Sequence, residues 1–403
     1  MTNDLQSASI KLYIVLLITI CGLILCYSPL LGFCIPIFFL ILGLGSNFGA
    51  RVGFTLISIL GAAFTFASRN YVSGTIKDDF ANIYLPAFYD VNKGGTIFYE
   101  SFSNGVEFFI TLYFKVIGGI FGIKEPFMIM FAVLLFVLLL YYIWLEVFVL
   151  VNIEKKHRSI CVAACFLLLS CIIITQNMRQ AISCVFLLYA ISLLLNKKYI
   201  SCLVFAFLAV ISHMTALIVL PLFYFIMEGS KKTRLIIIIV SLGFLLAFNI
   251  AIDIIISYNL LGASTYKLLY YVDTSGRSVD IGYLKFLIIS FFAGLFLCKN
   301  DSLQADRFRN LLFCGTILYL IFMPIPTLSF RFLMLLVVFY NGLIMFYAFK
   351  KQLTILGFLL IAYNLYKIYS LGPNQDLLTG PEAYMNLWYS YPWAGTEFLY
   401  YFN

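Results

Sequence analysis

Long, predominantly apolar runs recur along the whole sequence and limit what this chain can fold into. Examples are residues 134–150, 235–256 and 311–323. A hydrocarbon core about 30 Å thick requires roughly 20 apolar residues for each helical span. Backbone groups in lipid must be paired internally, so a spanning chain forms helices or a closed barrel. The runs lack the two-residue alternation of barrel strands. They therefore predict an all-α, polytopic integral membrane protein.

The composition excludes a soluble domain and argues against a nucleic-acid partner. Hydrophobic residues make up 63% of the chain and charged residues 11%, whereas a soluble domain is about half apolar and a quarter charged. The net charge of +8 comes from short basic clusters between the apolar runs, a distribution that membrane topology produces. The ten cysteines lie in or beside apolar stretches without metal-ligand spacing, so no metal site is expected.

The basic clusters also predict the orientation of the spans. Lysine and arginine collect in cytoplasmic loops, so we assign these clusters to that side. The tightest clusters lie at residues 155–158, 197–198, 231–234, 307–309 and 350–351. This assignment predicts about 13 spans, within a range of roughly 11 to 14, with the N-terminus inside and the C-terminus outside. Residues 9–27 lack the pattern of a cleavage site and are predicted to be a retained first span.

We expect residues 1–403 to form a single transmembrane domain with a few external segments. These external segments are residues 68–126, 258–282 and 371–403. Within the first of them, residues 104–122 are predicted to form an interfacial amphipathic helix, because Glu107 and Lys115 suit the interface better than lipid. Residues 159–175 are predicted to form one continuous span.

Several arginines fall at or near the predicted outer ends of spans. They are Arg69, Arg179, Arg277 and Arg331. Guanidinium groups stay charged and form paired hydrogen bonds with phosphate, so these residues are candidate ligands for the diphosphate of a lipid carrier. The alternative is that each arginine pairs with a nearby acid such as Asp78 or Asp79. Arg179 and Arg331 have no acidic residue within ten positions, which favours a functional role for these two.

His213, Asp78 and Asp79 are the candidate catalytic residues. His213 lies at the apex of a short predicted hairpin, where broken helices often line sites. Asp78 and Asp79 lie in an external loop among aromatic and amide side chains, and either carboxylate could act as a general base toward a sugar hydroxyl. The alternative interpretation is a hydrogen-bonded polar histidine and an ordinary polar loop.

Four segments, in order along the chain, resemble the Wzy-type polysaccharide polymerases and in particular their EpsG-like branch. They are SRNYVSGTIKDDFANIYLPAF at 68–88, QNMRQAISCVFLLYAISLLLNKKY at 176–199, FAFLAVISHMTALIVLPLFYF at 205–225 and SFRFLMLLVVFYNG at 329–342. The first segment departs from the family pattern, because Ile76 and Lys77 separate Thr75 from the acidic pair. The departure leaves open which of the two aspartates corresponds to the family's acid.

The resemblance implies a lipid-carrier-dependent membrane glycosyltransferase with GT-C-like architecture in the bacterial cytoplasmic membrane. Such an enzyme joins undecaprenyl-diphosphate-linked oligosaccharide repeat units into O-antigen, capsule or exopolysaccharide at the periplasmic or outer face. It implies membrane lipids and a chain-length regulator protein as further partners, and no cofactor. Arg179 and Arg331, with Arg69 or Arg277, would stabilise the leaving diphosphate, while His213, Asp78 or Asp79 would activate the acceptor hydroxyl.

Other membrane functions fit parts of the pattern. A lipid-linked oligosaccharide flippase would also have many spans, but its charged residues should line the middle of the helices. A membrane O-acyltransferase usually holds its histidine deep in the membrane, whereas His213 lies near a predicted outer end. An O-antigen ligase carries a large external loop between late spans, and the loop 258–282 is short.

Overall fold

The computed structural model describes residues 2–69, 71, 78–258, 291–295, 302–325 and 328–371, and throughout these ranges every regular element is helical. The first half contains α1 Thr2–Tyr27, α2 Pro29–Ile41, α3 Phe48–Ala67, α4 Leu85–Asn92, α5 Phe109–Gly119, α6 Pro126–Trp144, α7 Lys155–Leu167 and α8 Cys171–Gln176. The second half contains α9 Met178–Leu195, α10 Tyr199–Ser212, α11 Ala216–Glu228, α12 Lys231–Ser257, α13 Leu303–Phe322, α14 Leu328–Met334, α15 Asn341–Ala348 and α16 Leu353–Leu371. Three π-helical stretches join this framework, at Phe80–Tyr84, Leu145–Val149 and Leu335–Tyr340.

Five described helices are long and apolar enough to cross a membrane. They are Phe48–Ala67, Pro126–Asn152, Met178–Leu195, Leu328–Ala348 and Leu353–Leu371, and several apolar helices of 10–17 residues accompany them. The prediction of an all-α, multi-pass membrane protein is confirmed. The predicted number of spans stays a prediction, because almost all of the loop 258–282 and the tail after Leu371 lie outside the described residues.

Two predicted helices have different bounds in the structure. The continuous span over 159–175 is wrong, because α7 ends at Leu167 and α8 begins at Cys171. The break is stabilised from outside the segment, since the Leu169 carbonyl accepts a hydrogen bond from Lys367 Nζ at 3.5 Å. The helix predicted over 104–122 begins only at α5, because the backbone from Ser103 to Gly105 is left-handed.

The chain divides into two compact units. The first unit comprises residues 1–95, 113–178 and 352–403, and its core is built on the close packing of α2 against α3. A side chain at Gly61 would lie within 3.0 Å of the Phe33 nitrogen and the Pro29 carbonyl of α2. Phe64 of α3 stacks on Phe131 of α6 with ring centroids 4.2 Å apart. These apolar contacts fix the helices that carry the polar groups of this unit.

The buried charged side chains that the structure describes in the first unit have partners. Arg51 donates to both carboxylate oxygens of Glu146, at 2.6 and 2.8 Å, and Tyr142 donates to the same carboxylate at 2.7 Å. The Lys367 ammonium lies 5.2 Å from the ring centroid of Phe33. Such pairing offsets the cost of placing charge among apolar helices.

The second unit comprises residues 96–112 and 179–351. Its helices pack around α13, which contacts α11, α12, α14 and α15. α9 and α10 form an antiparallel pair in which the Ser183 hydroxyl donates to the Ala209 carbonyl at 2.8 Å. Tyr189 stacks on Phe205 across the same pair, with ring centroids 4.8 Å apart. The start of α9 and the end of α10 are therefore held at the same end of this pair.

Candidate functional site

Glu107, Arg179 and His213 form a polar cluster in the second unit, and we call these three residues the Glu107 cluster. Arg179 lies in the first turn of α9, and His213 follows α10 directly. Arg179 Nη1 donates to Glu107 Oε2, and His213 Nδ1 lies 3.7 Å from Glu107 Oε1. The Glu107 side chain is 2% exposed, while those of Arg179 and His213 are each 13% exposed. A buried carboxylate therefore lies behind a cation and an imidazole that solvent still reaches.

A tight turn before α5 brings Glu107 to this position. Ser103, Asn104 and Gly105 are consecutive residues with φ of 52°, 55° and 83°. Residues other than glycine seldom adopt this region, so the turn has a cost that its surroundings must offset. The Glu107 amide closes the turn by donating to the Phe102 carbonyl at 3.3 Å. The Phe102 ring lies beneath Arg179, with 4.1 Å between the guanidinium carbon and the ring centroid, so the turn positions both partners of Arg179.

The carboxylate of Glu107 is held in its charged form. Burial raises its pKa, but His213, Arg179, the Met214 amide and the Ser103 hydroxyl lower it, and the net effect is a pKa below the ordinary value of 4.5. Oε1 accepts the Met214 amide at 2.9 Å, while Oε2 accepts Arg179. The two oxygens thus have separate partners.

His213 is oriented by its own turn. Its Nδ1 accepts the Thr215 amide at 3.3 Å and lies 3.0 Å from the Thr215 hydroxyl. Acceptance at Nδ1 places the proton of the neutral ring on Nε2. Neutral His213 is therefore a hydrogen-bond donor through Nε2, and as a base it would use the Nδ1 side that faces Glu107.

Arg331 is connected to the Glu107 cluster through the residue that follows Arg179. Gln180 Nε2 donates to the Arg331 carbonyl, so the first turn of α9 is joined to α14. Two residues before Arg331, the Ser329 hydroxyl is fully buried and has no hydrogen-bond partner within the described part of the chain. The structure thus places Arg179, His213 and Arg331, three of the predicted site residues, in one unit and links the first two through Glu107.

Arg69 and Asp78 form a second polar group, in the first unit. Arg69 Nη1 and Nη2 donate to the two oxygens of Asp78, at 3.2 and 3.0 Å, and both side chains are fully buried. Arg69 Nε donates to the Thr175 hydroxyl at 2.6 Å. Asp78 Oδ1 also accepts the Phe80 amide at 3.1 Å. For Arg69, this geometry agrees with the ion-pair alternative that the sequence left open.

Two predicted site residues remain, Asp79 and Arg277. Asp79 is half-buried and directly precedes the π-helical stretch Phe80–Tyr84. Arg277 lies outside the described residues.

Sequence reasoning did not assign Glu107 to a site. It placed Glu107 on an interfacial helix and left Arg179 without an acid, because it considered only acids close to Arg179 in the sequence. The available signal was a carboxylate beside an apolar segment together with an arginine at a span end that has no acid nearby in the sequence.

Apolar helices with a buried carboxylate, a guanidinium and an imidazole at helix ends define a multi-pass membrane protein with a polar site. Comparison with known proteins identifies the group to which it belongs. The EpsG family model matches residues 52–391, which is most of the chain. This chain belongs to the EpsG family, and the predicted resemblance is confirmed. Family membership suggests a role in polysaccharide biosynthesis. No curated protein and no solved structure match the chain.

Proposed function

We propose that this chain is a lipid-carrier-dependent membrane glycosyltransferase that polymerises undecaprenyl-diphosphate-linked oligosaccharide repeat units into surface polysaccharide. The observation that carries the proposal is the Glu107 cluster, in which a partly exposed guanidinium lies against a buried carboxylate and beside an imidazole. A glycosyl transfer from a diphosphate needs a cation for the leaving group and a base for the acceptor, and this cluster contains both. The family assignment agrees with such a role.

The reaction is a displacement at the anomeric carbon of the growing glycan. The acceptor hydroxyl loses its proton as its oxygen attacks that carbon, and the bond to the diphosphate oxygen breaks. Arg179, together with Arg331, stabilises the charge that develops on the leaving diphosphate. Two lipid-tethered substrates held in one site also gain rate from proximity and orientation.

The site faces the periplasm or the cell exterior of a bacterial cytoplasmic membrane in this proposal. Its support is the distribution of basic residues, which assigns the Lys197–Lys198 end of α9 to the cytoplasm and the Arg179 end to the other side. Single cysteines introduced at 179, 213 and 331 should react with a membrane-impermeant maleimide added to intact spheroplasts. Labelling only after the membrane is opened would overturn this orientation.

The function is tested by the ladder of lipid-linked glycans in cells that lack their own polymerase. The chain should convert single repeat units into long chains, and Arg179→Ala should leave single units. Lys198→Ala is a matched control, because it removes an exposed cation at the opposite end of α9. A flippase, the runner-up function, would change the side on which single units accumulate without lengthening them. That result would overturn the polymerase proposal.

A further inference from the structure

Glu107 and the proposed substrate need the same edge of Arg179. Glu107 Oε2 accepts the hydrogen bond of Arg179 Nη1, which is the kind of bond that a diphosphate oxygen would accept. The Arg179 side chain keeps some exposure whereas Glu107 is almost fully buried, so a ligand entering from solvent would reach Arg179 before Glu107.

We propose that Glu107 is a built-in competitor of the substrate: the diphosphate of the lipid-linked donor displaces Glu107 from Arg179, and the released carboxylate then takes the proton of the acceptor hydroxyl. This inference rests on the proposed function and adds a catalytic residue and an order of events to it. Donor binding would thereby switch on the base, so that the acceptor is activated only when a leaving group is in place.

The exchange is favoured by charge. A diphosphate offers several anionic oxygens to a guanidinium group, while Glu107 offers one oxygen to Arg179. Arg331, whose carbonyl is joined to α9 through Gln180, would add a second cation for the diphosphate. When the diphosphate binds, Arg179 would therefore lose its hydrogen bond to Glu107 and gain several charge-assisted hydrogen bonds to diphosphate oxygens.

Release from Arg179 does not free Glu107 from its position. Oε1 still accepts the Met214 amide at 2.9 Å, and the turn from Ser103 to Gly105 fixes the backbone. The carboxylate remains 3.7 Å from His213 Nδ1, with Oε2 open toward the site. A base held at one oxygen and open at the other is suited to accept a proton from a positioned hydroxyl.

Release also makes the carboxylate a stronger base. Burial raises the pKa of Glu107, and Arg179 is one of the groups that lower it. When the guanidinium turns to the diphosphate, that lowering influence is removed while the burial stays.

Atoms and charges balance in the resulting step. The proton of the acceptor hydroxyl moves to Glu107, and the acceptor oxygen forms the bond to the anomeric carbon. The bond from that carbon to the diphosphate oxygen breaks, and its electron pair leaves with the diphosphate, which Arg179 and Arg331 hold.

The test measures binding and turnover separately on the purified full chain in nanodiscs. Binding uses undecaprenyl diphosphate as the probe, and turnover uses lipid-linked repeat units. Glu107→Gln should bind the probe at least severalfold more tightly than the wild type, because its competitor is neutral, and should lose turnover by about 100-fold or more. A purely structural role for Glu107 would not tighten binding.

Two further variants complete the experiment. Glu107→Asp keeps the charge but shortens the reach to Arg179, so it should also bind the probe more tightly while retaining some turnover. Asp306→Asn is the control, because it neutralises another acid paired with an arginine, Arg309, and should change neither measurement. Weaker or unchanged binding in both Glu107 variants overturns the competition, and full turnover of Glu107→Gln overturns the base. Failure of the wild-type chain to bind the probe or to polymerise is a different outcome, which overturns the proposed function itself.

Discussion

Glu107 and Arg179 are 72 residues apart in the sequence and form an ion pair in which the carboxylate is almost fully buried. Glu107 lies in a turn before α5, and Arg179 lies in the first turn of a candidate membrane span. Removing one partner of such a pair leaves the other charge buried and uncompensated, which is costly. The pair therefore explains how a charged arginine is accommodated at the end of an apolar helix.

Substitutions of Arg179 should show how much of its effect on polymerisation comes from its charge and how much from its planar pair of donors. Arg179→Ala should reduce long-chain product by about 100-fold or more, because the leaving diphosphate loses a positioned cation. Arg179→Lys keeps a cation but loses the planar pair of donors, and should give an intermediate yield with shorter chains. The measurement is the length distribution of lipid-linked glycan on a gel. Equal ladders for wild type and Arg179→Ala would remove this residue from the mechanism.

Asp78 should act in stability rather than in catalysis. Asp78→Ala leaves the Arg69 guanidinium buried without its carboxylate and should lower the free energy of unfolding by about 3–5 kcal/mol. Replacing both partners, Arg69→Met with Asp78→Leu, should recover most of that loss. Thermal unfolding in detergent measures both effects, and Asp79→Asn is the half-buried control. A stable double variant without polymerase activity would instead assign Asp78 or Arg69 to the reaction.

The apolar pattern was sufficient to predict the helices, because span length and hydropathy depend on local sequence. The boundaries that failed depend on distant residues. Nothing within residues 159–175 indicates a break at Leu168–Ser170, since its carbonyl partner is Lys367 on the last helix. The late start of α5 likewise follows from left-handed backbone at Ser103 and Asn104, which sequence pattern seldom reveals.

The sequence predicted the arginine and the histidine of the Glu107 cluster as candidates, but it did not predict the glutamate. Arg179, His213 and Arg331 could be chosen as candidates because a cation or imidazole at the end of an apolar run is costly unless it has a partner or a ligand. The pairing of Arg179 with Glu107 was not recognisable, because their separation in the sequence hides the contact that the fold makes. The same limit left Arg69 undecided between a ligand and a partner of Asp78.

Gly61 should be intolerant of any side chain. A Cβ there would lie within 3.0 Å of the Phe33 nitrogen and the Pro29 carbonyl, and backbone atoms cannot move aside as a flexible side chain can. Gly61→Ala should lower the free energy of unfolding by about 1–3 kcal/mol through overpacking of α2 against α3. Thermal unfolding in detergent is the measurement. Gly22→Ala, at a position with open space around the added carbon, is the control and should unfold like the wild type.

The Ser329→Ala variant should show whether the buried Ser329 hydroxyl contacts the substrate. Its buried hydroxyl has no hydrogen-bond partner in the described chain, so Ser329→Ala should leave the unfolding temperature unchanged or raise it slightly. If the hydroxyl contacts the substrate beside Arg331, the same variant should raise KM for lipid-linked repeat units severalfold. Steady-state kinetics of the purified chain measures this. Unaltered kinetics in a variant of equal or higher stability would exclude Ser329 from the site.

The ion pair of Glu107 should make stability depend on pH only in the acid range. Burial raises the pKa of Glu107, but His213 and Arg179 outweigh it and the folded-state pKa lies below the ordinary value of 4.5. A carboxyl group whose pKa is lowered by folding stabilises the folded state fully above its unfolded pKa, and this contribution disappears as the pH falls through the lowered value. The difference in unfolding temperature between wild type and Glu107→Gln should therefore shrink as the pH falls below about 4.5. Asp306→Asn, which alters a more exposed pair than that of Glu107, should show no comparable change against the wild type. A difference that does not shrink as the pH falls from about 4.5 to about 3 would contradict the lowered pKa and the ion pair that causes it.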